Sequence, residues 1–479
     1  MRKHWTFAFV LLVALAGCGD KKAEQAKGLQ QELQDLLAKA AGTDKKITYG
    51  DVAVTPDGDV FDASIDKLAV PIAGSAPIDL GKITFKIAPD GDDMRKFSDV
   101  VLPASVVLKG SDGTEIAKLA LALDHANGSW SKSMGQILNA DLLFKTITAS
   151  HESTGDNLTG TAVGYQLTST DGGQNGWDQN AGLTAKQLAY TGKDGQASVA
   201  DLAITSNAGG AKMAELLAMR DDWKKAVESG KPAQVIPLLG KMLSLVKTLK
   251  VAIALGKVSV SQGTQALFSL GSLNFDFGLD GLDQPKSKLV SGLKYAGLSI
   301  PDLKAMIGPA GADLVPTDFG FKYGADDMPL ATAIDLAGKN LANVDSTDQT
   351  ALMGAGMAMA GVIDQAFAQA QTKIYISDGT VTAPAFNAKF DGQVQTQQGA
   401  AMGGAGTLNL QVSDMDAIIA RLSQYADDPQ KDQIVGSLQK LKELSDPGTD
   451  DAGKKIDKFK VTLDQDGKTL INGKPLPMD

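Results

Sequence analysis

Leu183-Thr-Ala-Lys-Gln-Leu-Ala-Tyr-Thr-Gly-Lys-Asp-Gly-Gln-Ala-Ser-Val-Ala-Asp-Leu-Ala-Ile204 reads as a strand, a tight turn and a second strand. Its centre is Asp194-Gly195, a dipeptide that tolerates the positive φ of a two-residue hairpin. Ile374-Tyr-Ile-Ser-Asp-Gly-Thr-Val-Thr-Ala383 repeats the form in miniature. Upstream, Ile47/Tyr49, Val52/Val54, Phe61/Ala63/Ile65 and Ile83/Phe85/Ile87 alternate with polar residues, the period of strands with one buried face. Asp-Gly occurs nine times and Asn-Gly at 127–128, 175–176 and 472–473, so turn signals fall between alternating runs along most of the chain. The pattern predicts an α+β fold: a β-rich antiparallel meander of hairpins with inserted amphipathic helices. No strict period relates the units, which disfavours a solenoid.

Helical spacing interrupts the meander at a few places. Leu29, Leu33, Leu36 and Leu37 predict a helix within 20–45, either a tether or an ordinary first helix packed on the body. Residues 209–229 carry Met213, Leu216, Leu217, Trp223 and Val227 on one face. After Gly230-Lys231-Pro232, residues 233–254 are richer in apolar side chains, among them Leu239, Leu243 and Val246. Further helices are expected near 347–370 and as a pair over 414–445 broken at Asp428-Pro429. The expected organisation is therefore a β-rich region over 46–208, a helical insertion over 209–257 and a mixed β-rich region over 258–479.

The amino terminus reads as an address. Arg2 and Lys3 precede an apolar run from Trp5 to Ala16, which is shorter than the ~20 residues a spanning helix needs. Leu15-Ala16-Gly17-Cys18 resembles the lipobox of bacterial lipoproteins. The resemblance implies cleavage between Gly17 and Cys18, removal of residues 1–17 as a signal peptide, and acyl chains of the palmitate type on Cys18. Two or more such chains give stable anchoring. By the sorting rule of enterobacterial lipoproteins, Gly19 in place of Asp implies the outer membrane, facing the periplasm. Cys18 is the single cysteine in 479 residues, so the chain can form no internal disulfide.

Charge narrows the partners. The chain has 46 Lys+Arg against 56 Asp+Glu, and cleavage after Gly17 leaves 44 against 56, a net of −12. An acidic surface argues against nucleic acid, which needs a basic face, and offers no polybasic patch for anionic headgroups. The expected partners are the membrane, through acyl chains on Cys18, and a lipid or another envelope protein. The hairpin texture and the ending Leu470-Ile-Asn-Gly-Lys-Pro-Leu476 resemble bacterial envelope proteins of the AsmA-like and YdgA-like kind, which use long antiparallel sheets with inserted helices. Those proteins tend to carry a transmembrane anchor where this chain has a lipobox, and they supply no active-site residue to carry over.

Catalytic signals are missing. After processing only His125 and His151 remain, too few and too isolated for a zinc site or a triad. Gly467-Lys468-Thr469 has Thr462 where a phosphate loop needs glycine. Asp464-Gln-Asp466-Gly467 lacks the remaining ligands of a calcium loop. No enzyme activity, cofactor or metal is expected. The leading functional reading is a binding or scaffolding lipoprotein holding a lipid or other amphiphile in a groove between sheet and helices, with Leu239, Leu243 and Val246 as candidate lining residues and 351–367 as a second apolar helix. The alternative is an assembly lipoprotein with no small-molecule ligand. For the 233–254 helix itself, plugging the core is the favoured role and lining a groove the next.

Overall fold

A computed structural model describes residues 5–41, 47–71, 76–110, 112–151, 154–341, 344, 349–425, 428 and 430–475, with the backbone path alone for 5–20, 40 and 349–352. Strand makes up 53% and helix 27%, and every pairing with a resolved register is antiparallel, so the chain is a β-rich α+β protein. It divides into two compact units, residues 1–169 with 181–197, and residues 170–180 with 198–479.

The first unit opens with α1 (Trp5–Ala41), followed by β1 (Val52–Asp57), β2 (Val60–Val70), β3 (Ile78–Asp90), β4 (Met94–Val101), β5 (Ser105–Lys109), β6 (Glu115–Ser131), β7 (Gln136–His151) and β8 (Asp156–Asp171). Strands β1 to β4 pair in sequence, β4 and β5 both pair with β6, and β6–β7–β8 continue the ladder. Register explains the alternation in the sequence. Val54 lies opposite Ala63, which lies opposite Phe85, while Val52, Ile65 and Ile83 form the adjoining row. Both rows point the same way because side chains repeat every second residue.

What covers that face is α1. Ala26, Leu29 and Leu33 are each 4% exposed and pack into the cluster formed by Val52, Phe61, Ile65, Ile87 and Trp130. Of the two roles open to this helix, the packed one is realised from Ala26 onward. Arg95 reinforces the joint, donating from Nε and Nη2 to the Glu32 carboxylate at 2.9 and 3.1 Å, with Lys132 Nζ at 2.9 Å on the same group. The boundary expected at 45/46 falls outside the described residues.

β9 (Trp177–Gly192) and β10 (Gly195–Ala211) pair across Lys193-Asp194, the hairpin that opened the sequence reading. The second unit continues through α2 (Met213–Ala218), α3 (Arg220–Ser229), α4 (Pro232–Ser244), β11 (Thr248–Gln262), β12 (Gln265–Asp280), β13 (Ser287–Ala296), α5 (Leu303–Leu314) and β14 (Asp318–Met328). Then come α6 (Leu330–Leu341), α7 (Gln349–Ala370), β15 (Lys373–Thr382), β16 (Asn387–Thr396), β17 (Gly404–Ser413), α8 (Met415–Leu422), α9 (Lys431–Lys442), β18 (Asp446–Thr449), β19 (Lys455–Leu463), β20 (Thr469–Ile471) and β21 (Lys474–Pro475).

Two expectations need correction here. The helical insertion ends at Ser244 and not near 254–257, because Leu249, Val251, Ile253 and Leu255 alternate and pair with Leu279, Phe277, Phe275 and Leu273 of β12. At its start, residues 209–211 still belong to β10. Helices α5 and α6 appear where none was expected. The 414–445 pair is present as α8 and α9, with the Asp414 carboxylate capping α8 by accepting from Asp416 N and Ala417 N. Pro429, residues 347–348 and Leu476 lie outside the described residues.

Strands β11 through β17 pair each with the next, and β17 pairs with β19. The buried core of this unit sits at one end, where Ala310 of α5 and Met415, Ile418 and Leu422 of α8 pack with Phe459 and Ile471. Asp313 fastens the two helices, accepting from Arg421 Nε at 2.8 Å and from the Tyr425 hydroxyl at 2.6 Å.

Candidate functional site

Reading the register across the second unit exposes its main feature. Leu249, Leu279, Leu289, Ala325, Ile374, Val394, Gly406 and Leu463 are successive cross-strand partners on β11, β12, β13, β14, β15, β16, β17 and β19. Two residues along, Val251, Phe277, Ser291, Tyr323, Ile376, Gly392, Leu408 and Val461 form a second row on the same face. Strands spaced ~4.8 Å apart make each row roughly 34 Å long. Charged groups take the other face, where Lys322 Nζ pairs with Asp378 at 2.8 Å and Lys288 Nζ with Asp326 at 3.1 Å.

An aromatic spine crosses these rows along β14. Phe319, Phe321 and Tyr323 share the face, with successive ring centroids 5.4 and 6.2 Å apart. This apolar face is not closed as a core would be: Val251, Tyr323, Ile374 and Leu408 are 36%, 39%, 44% and 37% exposed. An uncovered apolar surface on this scale marks an interaction or ligand site.

Two hollows deepen the face. The first, of about 270 Å³, is lined by Ile374, Ile376, Val394, Leu408, Val461 and Leu463 around Gly392 and Gly406. Its cause lies in the register. Gly392 faces Leu408 and Val394 faces Gly406, so a missing side chain stands beside a large one in each row. The strands also need these glycines. A Cβ on Gly406 would stand 2.3 Å from Gln393 O, and one on Gly392 2.6 Å from Thr407 O. The second hollow, of about 760 Å³, shares Ile374 and Val394 with the first and is bounded by Ile363, Asp364 and Phe367 of α7 and the 396–403 hairpin. Gln397, Gln398 and Asp364 add polar groups to its lining. Together the two hollows offer apolar and polar walls, the combination an amphiphile requires.

The candidate lining residues of the sequence lie apart from these two hollows. None of Leu239, Leu243 and Val246 lines either hollow. Leu239 is 39% exposed on α4, Leu243 is half-buried, and Val246 is buried beyond the helix end. The reason is that α4 packs closely on α6, where a Cβ on Gly240 would come within 2.7 Å of Ile334 Cγ2. Within α4 itself the apolar residues are half-buried or exposed. The 351–367 stretch was the better pointer, since its C-terminal part bounds the second hollow. Sequence alone assigns no lining role to Ile374, Val394, Leu408 or Val461, although glycines at 392 and 406 inside alternating strands are a visible signal.

Other candidate positions resolve into structure. His125 sits on β6 between Asp124 and Asp141, its ring nitrogens 3.2 and 3.4 Å from their carboxylates, and His151 ends β7. The Asp464 carboxylate accepts from Lys468 N at 2.8 Å, shaping the turn between β19 and β20. A hollow of about 220 Å³ touches Asp313, but Arg421 and Tyr425 already occupy that carboxylate, which raises the pKa of both partners. No group of three or more His, Cys, Asp or Glu among the described residues could hold a metal ion. Among the same residues no helix is long and apolar enough to cross a membrane. Gly17 and Cys18 fall in the first half of α1, where the backbone alone is described. No family model, curated protein or solved structure matches the chain.

Proposed function

We propose that this protein is a non-catalytic, lipid-anchored protein of the bacterial cell envelope that holds an amphiphile on the apolar face of its second unit. The lipobox-like Leu15-Ala16-Gly17-Cys18 supports the anchor and a position facing the periplasm, with Gly19 favouring the outer membrane. The observation that carries the binding role is the pair of mostly apolar rows, exposed at Val251, Tyr323, Ile374 and Leu408, that sink into a trough at Gly392 and Gly406. Acyl chains would lie against Ile376, Val394 and Leu408, and the polar end would meet Gln397, Gln398 and Asp364. Water over such a face costs about 25 cal/mol per Å², which an acyl chain relieves without any directional bond.

An environment-sensitive fluorescent fatty acid tests the reading. It should brighten on binding the purified protein and be displaced by unlabelled lipid extract. Leu408→Asp, which places a charge in the trough at a partly exposed position, should abolish the signal while leaving the circular dichroism spectrum unchanged. Equal brightening with both proteins would reject the trough as the site.

A further inference from the structure

We infer that the β1–β2 hairpin tip, Asp57-Gly58-Asp59, rests at the headgroup level of the bilayer that carries the acyl anchor; this rests on the lipoprotein reading of Cys18. Lys22 Nζ donates to Gly58 O at 2.5 Å and pairs with Asp59 at 3.5 Å, so the helix meets the tip of this hairpin at Lys22. Backbone from Cys18 to Lys22 is already helical, and four residues of helix advance about 6 Å. From Ala26 the helix is locked into the body by Ala26, Leu29 and Leu33. No slack is left between anchor and body, and a sulfur carrying acyl chains cannot leave the membrane by more than that short length.

Chemistry at the tip agrees with a headgroup contact. Asp59 is fully exposed, yet Asp59 is paired with Lys22 and Asp57 with Lys86 at 3.2 Å, so the tip presents compensated charge rather than a repelling acidic knob. The outer face of α1 is polar, with Lys21, Glu24, Lys27, Gln31 and Lys39 exposed. Its leucines are spent on the body, so it lacks the apolar face an interfacial helix needs to lie flat. The helix therefore carries its far end away from the bilayer: Lys39 stands about 31 Å along the axis from Cys18.

Acylated full-length protein in phosphatidylcholine vesicles containing headgroup-quencher lipid provides the test. With Cys18 acylated, Asp59→Cys or Lys39→Cys supplies one free thiol for a fluorophore. The label at 59 should lose most of its emission and the label at 39 little. Equal quenching at both positions would mean a helix lying flat, and no quenching at either would mean an unwound tether; each overturns the inference. Intact mass, read first, separates these from failure of the premise: a chain without acyl groups removes the anchor and the inference with it.

Discussion

At the residue scale, the joint between α1 and the first sheet depends on one partly buried ion cluster. Arg95 is 7% exposed and has its guanidinium committed to Glu32 and to the carbonyls of Gly91, Asp92 and Met94. Arg95→Met should destabilise the first unit by about 2–3 kcal/mol, since charged hydrogen bonds are lost and Glu32 keeps Lys132 alone. Urea unfolding followed by tryptophan emission from buried Trp130 would read it. Asp93 offers a pH test. Its carboxylate accepts from the Ser131 hydroxyl at 2.6 Å and from Ser133 N at 2.7 Å, and these bonds hold its pKa below the usual carboxylate range. A depressed pKa contributes stability above the unfolded value near ~4 and loses it as pH falls through the folded value. Asp93→Asn should therefore lower the melting temperature at pH 7, and the gap should close on acidification; a gap that persists at the lowest pH would contradict this cause. Glycine is where single residues misled. Asp378-Gly379 and Asn127-Gly128 look like turns but lie inside β15 and β6, where a Cβ on Gly379 would stand 2.4 Å from Phe390 O and 2.5 Å from its ring, and one on Gly128 2.3 Å from Asn139 O and 2.4 Å from the Phe97 ring. Short-range turn chemistry cannot report a cross-strand ring.

At the element scale, α1 and α4 behave oppositely although both show leucines at helical spacing. Leu29→Ala or Leu33→Ala should cost about 2–5 kcal/mol, the usual range for a buried leucine. Leu239→Ala should change stability by less than about 1 kcal/mol, as expected for a partly exposed position. Thermal melts of the three variants decide the matter, and a large loss at Leu239 would assign α4 a core-plugging role. Strands were the most legible elements, since one buried or apolar face enforces a period of two that survives without knowledge of partners. The end of α4 was not legible because Leu243, Leu245, Val246 and Leu249 satisfy both periods; the pairing of Leu249 with Leu279 settles it in favour of strand from Thr248. Helix α6 could have been read from Ile334, Ala337 and Leu341 with the Asp335–Lys339 pair at i, i+4.

At the scale of the whole molecule, the described residues form two modest cores, one beneath α1 and one beneath α5 and α8, and leave much of a broad apolar sheet face in the second unit partly exposed. Hairpin periodicity made that sheet predictable, but which face stays open depends on where helices dock, and docking is set by contacts such as Gly240 on Ile334 that are far apart in sequence. The proposed occupant of this face is an amphiphile. Native mass spectrometry of the full-length protein tests it most directly, because covalent acyl groups on Cys18 survive collisional activation whereas a bound amphiphile is shed. A stoichiometric adduct that leaves on activation, recovered as lipid on extraction and lost in Leu408→Asp, is the predicted result. A wild-type spectrum with no releasable mass, or an adduct equally abundant in Leu408→Asp, would contradict it.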